Sequence, residues 1–120
     1  MALEIRPPDP ERAKRILKGI ADFLERKGVD IKGDAELLIR HSESLLKGSE
    51  ACDREAVMYG LIDVALTAYD IARKIKEASL RGKLSYDEKD VFTDEIYFLS
   101  SSFQREAMKN IEKHCGCRFK

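Results

Sequence analysis

The stretch from residue 54 to residue 81 constrains this chain more than any other part of it. Val57, Leu61, Val64, Ala68, Ile71, Ile75 and Ala78 recur at a 4-3-4-3-4-3 spacing. That spacing puts all seven on one stripe of a long helix, the seam that packs knobs into holes. A second apolar row, Tyr59, Ile62, Leu66 and Tyr69, runs at 3-4-3 on another face of the same helix. A helix that is apolar on two faces needs more than one neighbour to cover it.

The neighbours come from the rest of the chain. Asp9-Pro10 reads as a helix start, with Asp as cap and Pro in the first turn. The stripe Ala13, Ile16, Leu17, Ile20, Ala21, Phe23 and Leu24 then predicts a helix to about Lys27, stopped by Gly28. Asp34 is the expected cap of a second, shorter helix ending at Gly48, with Leu38, Ser42, Leu45 and Leu46 inward. Asp53 caps the third helix and Gly82 ends it. Ser85 and Glu88 have the spacing of a capping box that opens a fourth helix, reaching about His114. Its inner row is Phe92, Ile96, Leu99, Phe103, Ala107 and Ile111, and Val91, Phe98 and Met108 are expected to widen it.

No stretch alternates with the period of two that a half-buried strand needs. The predicted fold is therefore all-α, a four-helix up-down bundle with a long antiparallel hairpin made by helices three and four. The 120 residues make one domain, with residues 1–9 as an extended lead-in and 115–120 as a loose tail. Helices of about 28 residues are about 42 Å long at 1.5 Å per residue. The first two helices are shorter and shield only part of that hairpin. Five acid-first pairs at i,i+4 mark wet faces: Glu11–Arg15, Asp22–Arg26, Glu36–Arg40, Glu43–Lys47 and Asp70–Lys74.

Composition narrows the function classes. Lys and Arg total 22, as do Asp and Glu, so the formal net charge is zero. Local basic runs fall at the ends of the third and fourth helices and acidic runs at their starts, where the helix dipoles favour them. Nucleic-acid contact through those basic ends ranks last among the partners. No run of about 18 apolar residues is present to cross a membrane. The opening Met-Ala-Leu-Glu-Ile-Arg-Pro-Pro lacks the apolar stretch of a secretory signal. Three cysteines, Cys52, Cys115 and Cys117, are too few and too uneven for a disulfide framework, which points to a reducing cytoplasm. Many charges with one Asn and one Gln resemble the composition of thermophile proteins.

Candidate chemistry is sparse. His114, Cys115 and Cys117 are soft ligands within four residues and could hold Zn²⁺, with a second chain completing the set. Asp63 and Asp70 stand seven apart on the third helix and form an alternative acidic site for Mg²⁺. His41 could act as a base or ligand beside the apolar face of helix two. Leu61-Ile62-Asp63-Val64, followed by the apolar run from Ala65 to Ala72, resembles the third helix of the all-α nucleoside triphosphate pyrophosphatases. That resemblance implies four carboxylates from two helices holding Mg²⁺ against a pyrophosphate. Asp63 matches the Asp of the family's E-x-x-D motif, but the Glu position is Gly60. On helix two, Glu36 is followed by Ile39 and Glu43 by Leu46, where a companion E-x-x-E belongs.

The leading expectation is a small cytoplasmic bundle that acts by protein–protein association, as a homodimer or other homo-oligomer or as a small subunit of a complex. Tyr59, Ile62, Leu66 and Tyr69 are its interface, because Tyr buries area while keeping a polar tip. It uses no cofactor and has no assembled catalytic set. The alternative is a metal-dependent nucleotide phosphohydrolase with an incomplete carboxylate site. The two differ over whether the tyrosine row is covered by its own chain.

Overall fold

A computed structural model describes residues 10–116. It contains four helices: α1 Pro10–Arg26, α2 Lys32–Glu50, α3 Arg54–Leu80 and α4 Tyr86–His114. Contacts along their lengths establish the antiparallel order. Lys14 of α1 meets Glu43 of α2 at 3.0 Å, Leu45 of α2 faces Gly60 of α3, and Gln104 of α4 donates to the Leu61 carbonyl of α3 at 3.4 Å. The all-α bundle expected from the periodicity is the fold. Helices α2, α3 and α4 pack closely, while α1 has its main contacts with α2 and α4. The slab is 51 × 37 × 21 Å, two helix diameters thick.

Local chemistry explains the boundaries. Asp53 accepts from the Ala56 N–H and caps α3. Ser85 and Glu88 form the reciprocal capping box at the start of α4. Helices α1, α2 and α3 end with the same pair of backbone bonds. At α1, Val29 N–H reaches Leu24 O at 2.8 Å and Gly28 N–H reaches Glu25 O at 2.9 Å. The residue that turns left-handed is Gly28 after α1 and Gly82 after α3, but Cys52 after α2. A side chain at that position costs roughly 1 kcal/mol.

Two expectations about α2 are corrected. It starts at Lys32 rather than Asp34, with Ile31 as a cap that makes no side-chain bond. Asp34 instead pairs with Lys74 of α3. The helix also runs past Gly48 to Glu50, because Gly48 serves packing and not termination. A Cβ there would come within 2.8 Å of Ala56 Cβ, and one at Gly60 within 3.1 Å of Leu45 Cα. The two glycines let α2 and α3 approach backbone to backbone. Asp9 and the lead-in of residues 1–9 lie outside the described residues.

The predicted seam forms the core. Val57, Val64, Ala68, Ile71, Ile75 and Ala78 of α3 are buried, with Ile96, Leu99, Phe103 and Ala107 of α4 against them. Leu61, Phe92 and Ile111 are half-buried around that core. Phe23 of α1 reaches Phe92, ring centroids 5.1 Å apart. Val91, Phe98 and Met108 do not widen the inner row; all three are exposed. Buried hydroxyls bond within their own helices, Ser42 to Leu38 O and Thr67 to Asp63 O, each at 2.7 Å. Of the predicted i,i+4 acids, Glu43 reaches across to Lys14, and of the bases, Lys74 reaches across to Asp34.

The largest correction concerns the cysteines. Cys52 and Cys115 form a disulfide, Cα atoms 5.4 Å apart, across a sequence separation of 63. Cys115 is buried, so the chain at that point is tied down rather than a loose tail. Beside the bond, Asn110 of α4 donates to Ser49 Oγ of α2 at 3.0 Å. Spacing alone could not reveal the pairing, because it depends on α2 and α4 ending at the same end of the bundle.

Three outcomes follow from this architecture. Reducing the Cys52–Cys115 bond should lower stability by about 4 kcal/mol on the loop-entropy relation, read as a shift in urea midpoint. Gly48→Ala should destabilise by about 1–3 kcal/mol despite alanine's better helix propensity, because Ala56 is not a flexible neighbour. The backbone N–H of Ser85 holds the Glu88 carboxyl below the usual carboxylate range. Its contribution is therefore complete above the ordinary carboxylate pKa and is lost as pH falls through the lowered folded value. Between about pH 6 and about pH 2 wild type should lose more stability than Glu88→Ala, measured by urea denaturation at each pH.

Candidate interaction surface

Covering α3 is a matter of geometry. Helix α2 packs on α3 where Leu45 faces Gly60, and α4 packs on it where Gln104 reaches the Leu61 carbonyl. Helix α1 sits over α2 and α4 on the far side of the core. The remaining face of α3 carries the second apolar row and has nothing over it among the described residues. Tyr59 is 61 % exposed, Ile62 52 %, Leu66 58 % and Tyr69 56 %. Met58 and Ala65 are exposed beside them. From Tyr59 to Tyr69 the row covers about 15 Å of helix. Scattered exposed apolar residues are ordinary on protein surfaces, but four at helical spacing make one continuous strip.

Charges frame the strip. Glu55 lies one turn before Tyr59 and is exposed. Arg73 lies one turn after Tyr69 and meets Glu77 at 3.0 Å, with about half of its side chain exposed. On the α2 side, Asp63 turns its carboxylate to His41, 3.7 Å away.

Among the described residues the other predicted sites are not assembled. Asp63 and Asp70 are seven residues apart, about 10 Å along the axis. Mg²⁺ binds oxygens at about 2.1 Å, so these two carboxylates do not share one ion. Gly60, where a pyrophosphatase-like motif needs Glu, lies against the Leu45 backbone and has no room for a side chain. Cys115 is bonded to Cys52, which removes its sulfur from a metal set while that bond stands; His114 is exposed, and Cys117 lies outside the described residues. Among the described residues no three of His, Cys, Asp and Glu converge on a point that could hold a metal.

Sequence reasoning missed one feature. A trough of about 530 Å³ runs between α1 and α2, lined by apolar Leu17, Ala21, Ala35 and Ile39, by Lys14, Lys18, Lys32 and Arg40, and by the acids Asp22 and Glu36. Its cations are partly committed. Lys14 donates to Glu43 and Lys32 to Glu25, and each bond holds the ammonium pKa above its usual value. The trough is formed between two helices, and each helix's own periodicity does not reveal it.

The chain matches no protein-family model, no curated protein and no solved structure in the comparisons made with each. No described helix is long and apolar enough to cross a membrane.

If the α3 strip contributes nothing to folding, charging it should cost nothing. Leu66→Lys should change the stability of the dilute chain by no more than about 0.5 kcal/mol. Ile71→Ala, one and a half turns away and fully buried, should cost about 2–5 kcal/mol. Urea denaturation of both variants at low concentration measures the contrast.

Proposed function

We propose that this chain is a binding module whose working surface is the outer face of α3, used for association with protein rather than for chemistry. The observation that carries this reading is the exposed row Tyr59, Ile62, Leu66 and Tyr69. Tyrosine at both ends supplies large contact area with few rotors to freeze and a hydroxyl left to solvent at the rim. The strip lies on the best-supported helix of the bundle, held by α2 and α4, so binding orders little that is not already ordered.

The compartment we propose is the interior of a thermophile's cell. Intracellular disulfides are common in hyperthermophiles, and the near-absence of Asn and Gln in this charge-rich chain agrees with that setting. Titration of the denatured, unreduced protein should then find one thiol per chain, not three.

The direct test is light scattering after size exclusion of the full chain, run beside the double variant Tyr59→Lys/Leu66→Lys. The reading expects wild type to run above the 13.7 kDa of one chain, or to retain a defined partner from its source, and the variant to do neither. Wild type and variant behaving alike in both respects would refute it.

A further inference from the structure

We infer that the occupant of the α3 face is a second copy of this chain, lying antiparallel across a two-fold axis that passes near residue 64. This rests on the binding role proposed above and adds the partner and its orientation.

The argument comes from the order of residues along the strip. Glu55, Tyr59, Ile62, Leu66, Tyr69 and Arg73 are spaced 4-3-4-3-4, a pattern that reads the same in both directions. A two-fold axis at its centre sets Tyr59 against the second copy's Tyr69, Ile62 against its Leu66, and Glu55 against its Arg73. Aromatic meets aromatic, branched aliphatic meets branched aliphatic, and acid meets base. Two-fold interfaces require that self-complementarity, because every contact occurs twice with roles exchanged. A parallel pair would stack Glu55 on Glu55 and Arg73 on Arg73, so the end charges select the antiparallel form.

The structure leaves these groups available. Glu55 is exposed and makes no ion pair among the described residues. Among the described residues Arg73 pairs with Glu77 of its own helix, a surface pair of the weak i,i+4 kind. Ala65, beside the axis, is exposed and small enough for two helices to approach closely. Asp63 also lies near the axis, where the register sets it against the second copy's Ala65 and not against a like charge, and its carboxylate faces His41 of α2. Covering the four apolar side chains removes roughly 500 Å² per copy and roughly 1,000 Å² in all, at the lower bound of specific interfaces. Interfaces of that size belong to the weak, transient class.

Sedimentation velocity on the full, oxidised chain from about 1 to about 200 µM tests the pairing. Wild type should dimerise. Glu55→Arg and Arg73→Glu should each weaken the dimer about tenfold or more, and the double variant E55R/R73E should return to within about threefold of wild type. Circular dichroism confirms that each variant keeps its helices, and an equimolar mixture of the two single variants supplies a second readout, since it should dimerise more tightly than either alone. A wild-type dimer abolished by Leu66→Lys but indifferent to all the charge changes would overturn the antiparallel pairing and leave the binding face intact. A wild-type monomer throughout the range would overturn the second copy as occupant, and a dimer that survives Leu66→Lys would overturn both the pairing and the face.

Discussion

The close approach of α2 to α3 is the constraint on which the rest of the molecule depends. Gly48 against Ala56 and Gly60 against Leu45 allow two backbones to meet where side chains would hold them apart. That approach sinks Leu45 and Leu38 into the core and leaves one groove between α2 and α3, which α4 fills with Ile96, Leu99 and Phe103. At the end of the bundle where α2 finishes and α3 begins, the same approach carries Cys52 to Cys115 and Ser49 to Asn110. Longer-range charge pairs, Asp34 with Lys74 and Glu43 with Lys14, then fix α2 between its two sequence neighbours.

From that arrangement the uncovered strip follows. A three-helix core has three outward grooves, and among the described residues α1 is the element left to occupy one. It takes the groove between α2 and α4, where Phe23 finds Phe92. Among the described residues helix α3 keeps a bare face as a result, and that face is apolar over about three turns. Exposed apolar surface of this kind adds nothing to the stability of the isolated chain. An apolar row that folding does not use is the feature that points to association.

The sequence was most informative where one helix determines its own pattern. The inner rows of α3 and α4, the caps at Asp53 and Ser85, and the stops at Gly28 and Gly82 all depend on residues within a turn of each other, and they were legible. The tyrosine row was visible as a second apolar face, but whether another helix covered it depended on where α1 lay. Periodicity says that Ala13, Leu17 and Leu24 need a partner and does not say which. Val91, Phe98 and Met108 were misread for the same reason: they sit near the inner stripe, and only the position of α1 and α3 decides that they stay outside. The Asp34 cap and the acid-first i,i+4 pairs also failed where a partner on another helix came within reach. The disulfide was illegible because its two cysteines lie 63 residues apart and meet only through the bundle's topology.

The central claim is that the α3 strip is open in a single chain and closes when the chain finds its partner. Hydroxyl-radical footprinting across a dilution series reads this residue by residue. The account predicts that Tyr59, Ile62, Leu66 and Tyr69 are modified readily at the lowest concentration and become protected together as concentration rises. Tyr86, exposed at the start of α4 and away from the strip, should be modified equally throughout. Protection of the four residues already present in the fully dissociated chain would contradict the account, since their own fold would then be covering them.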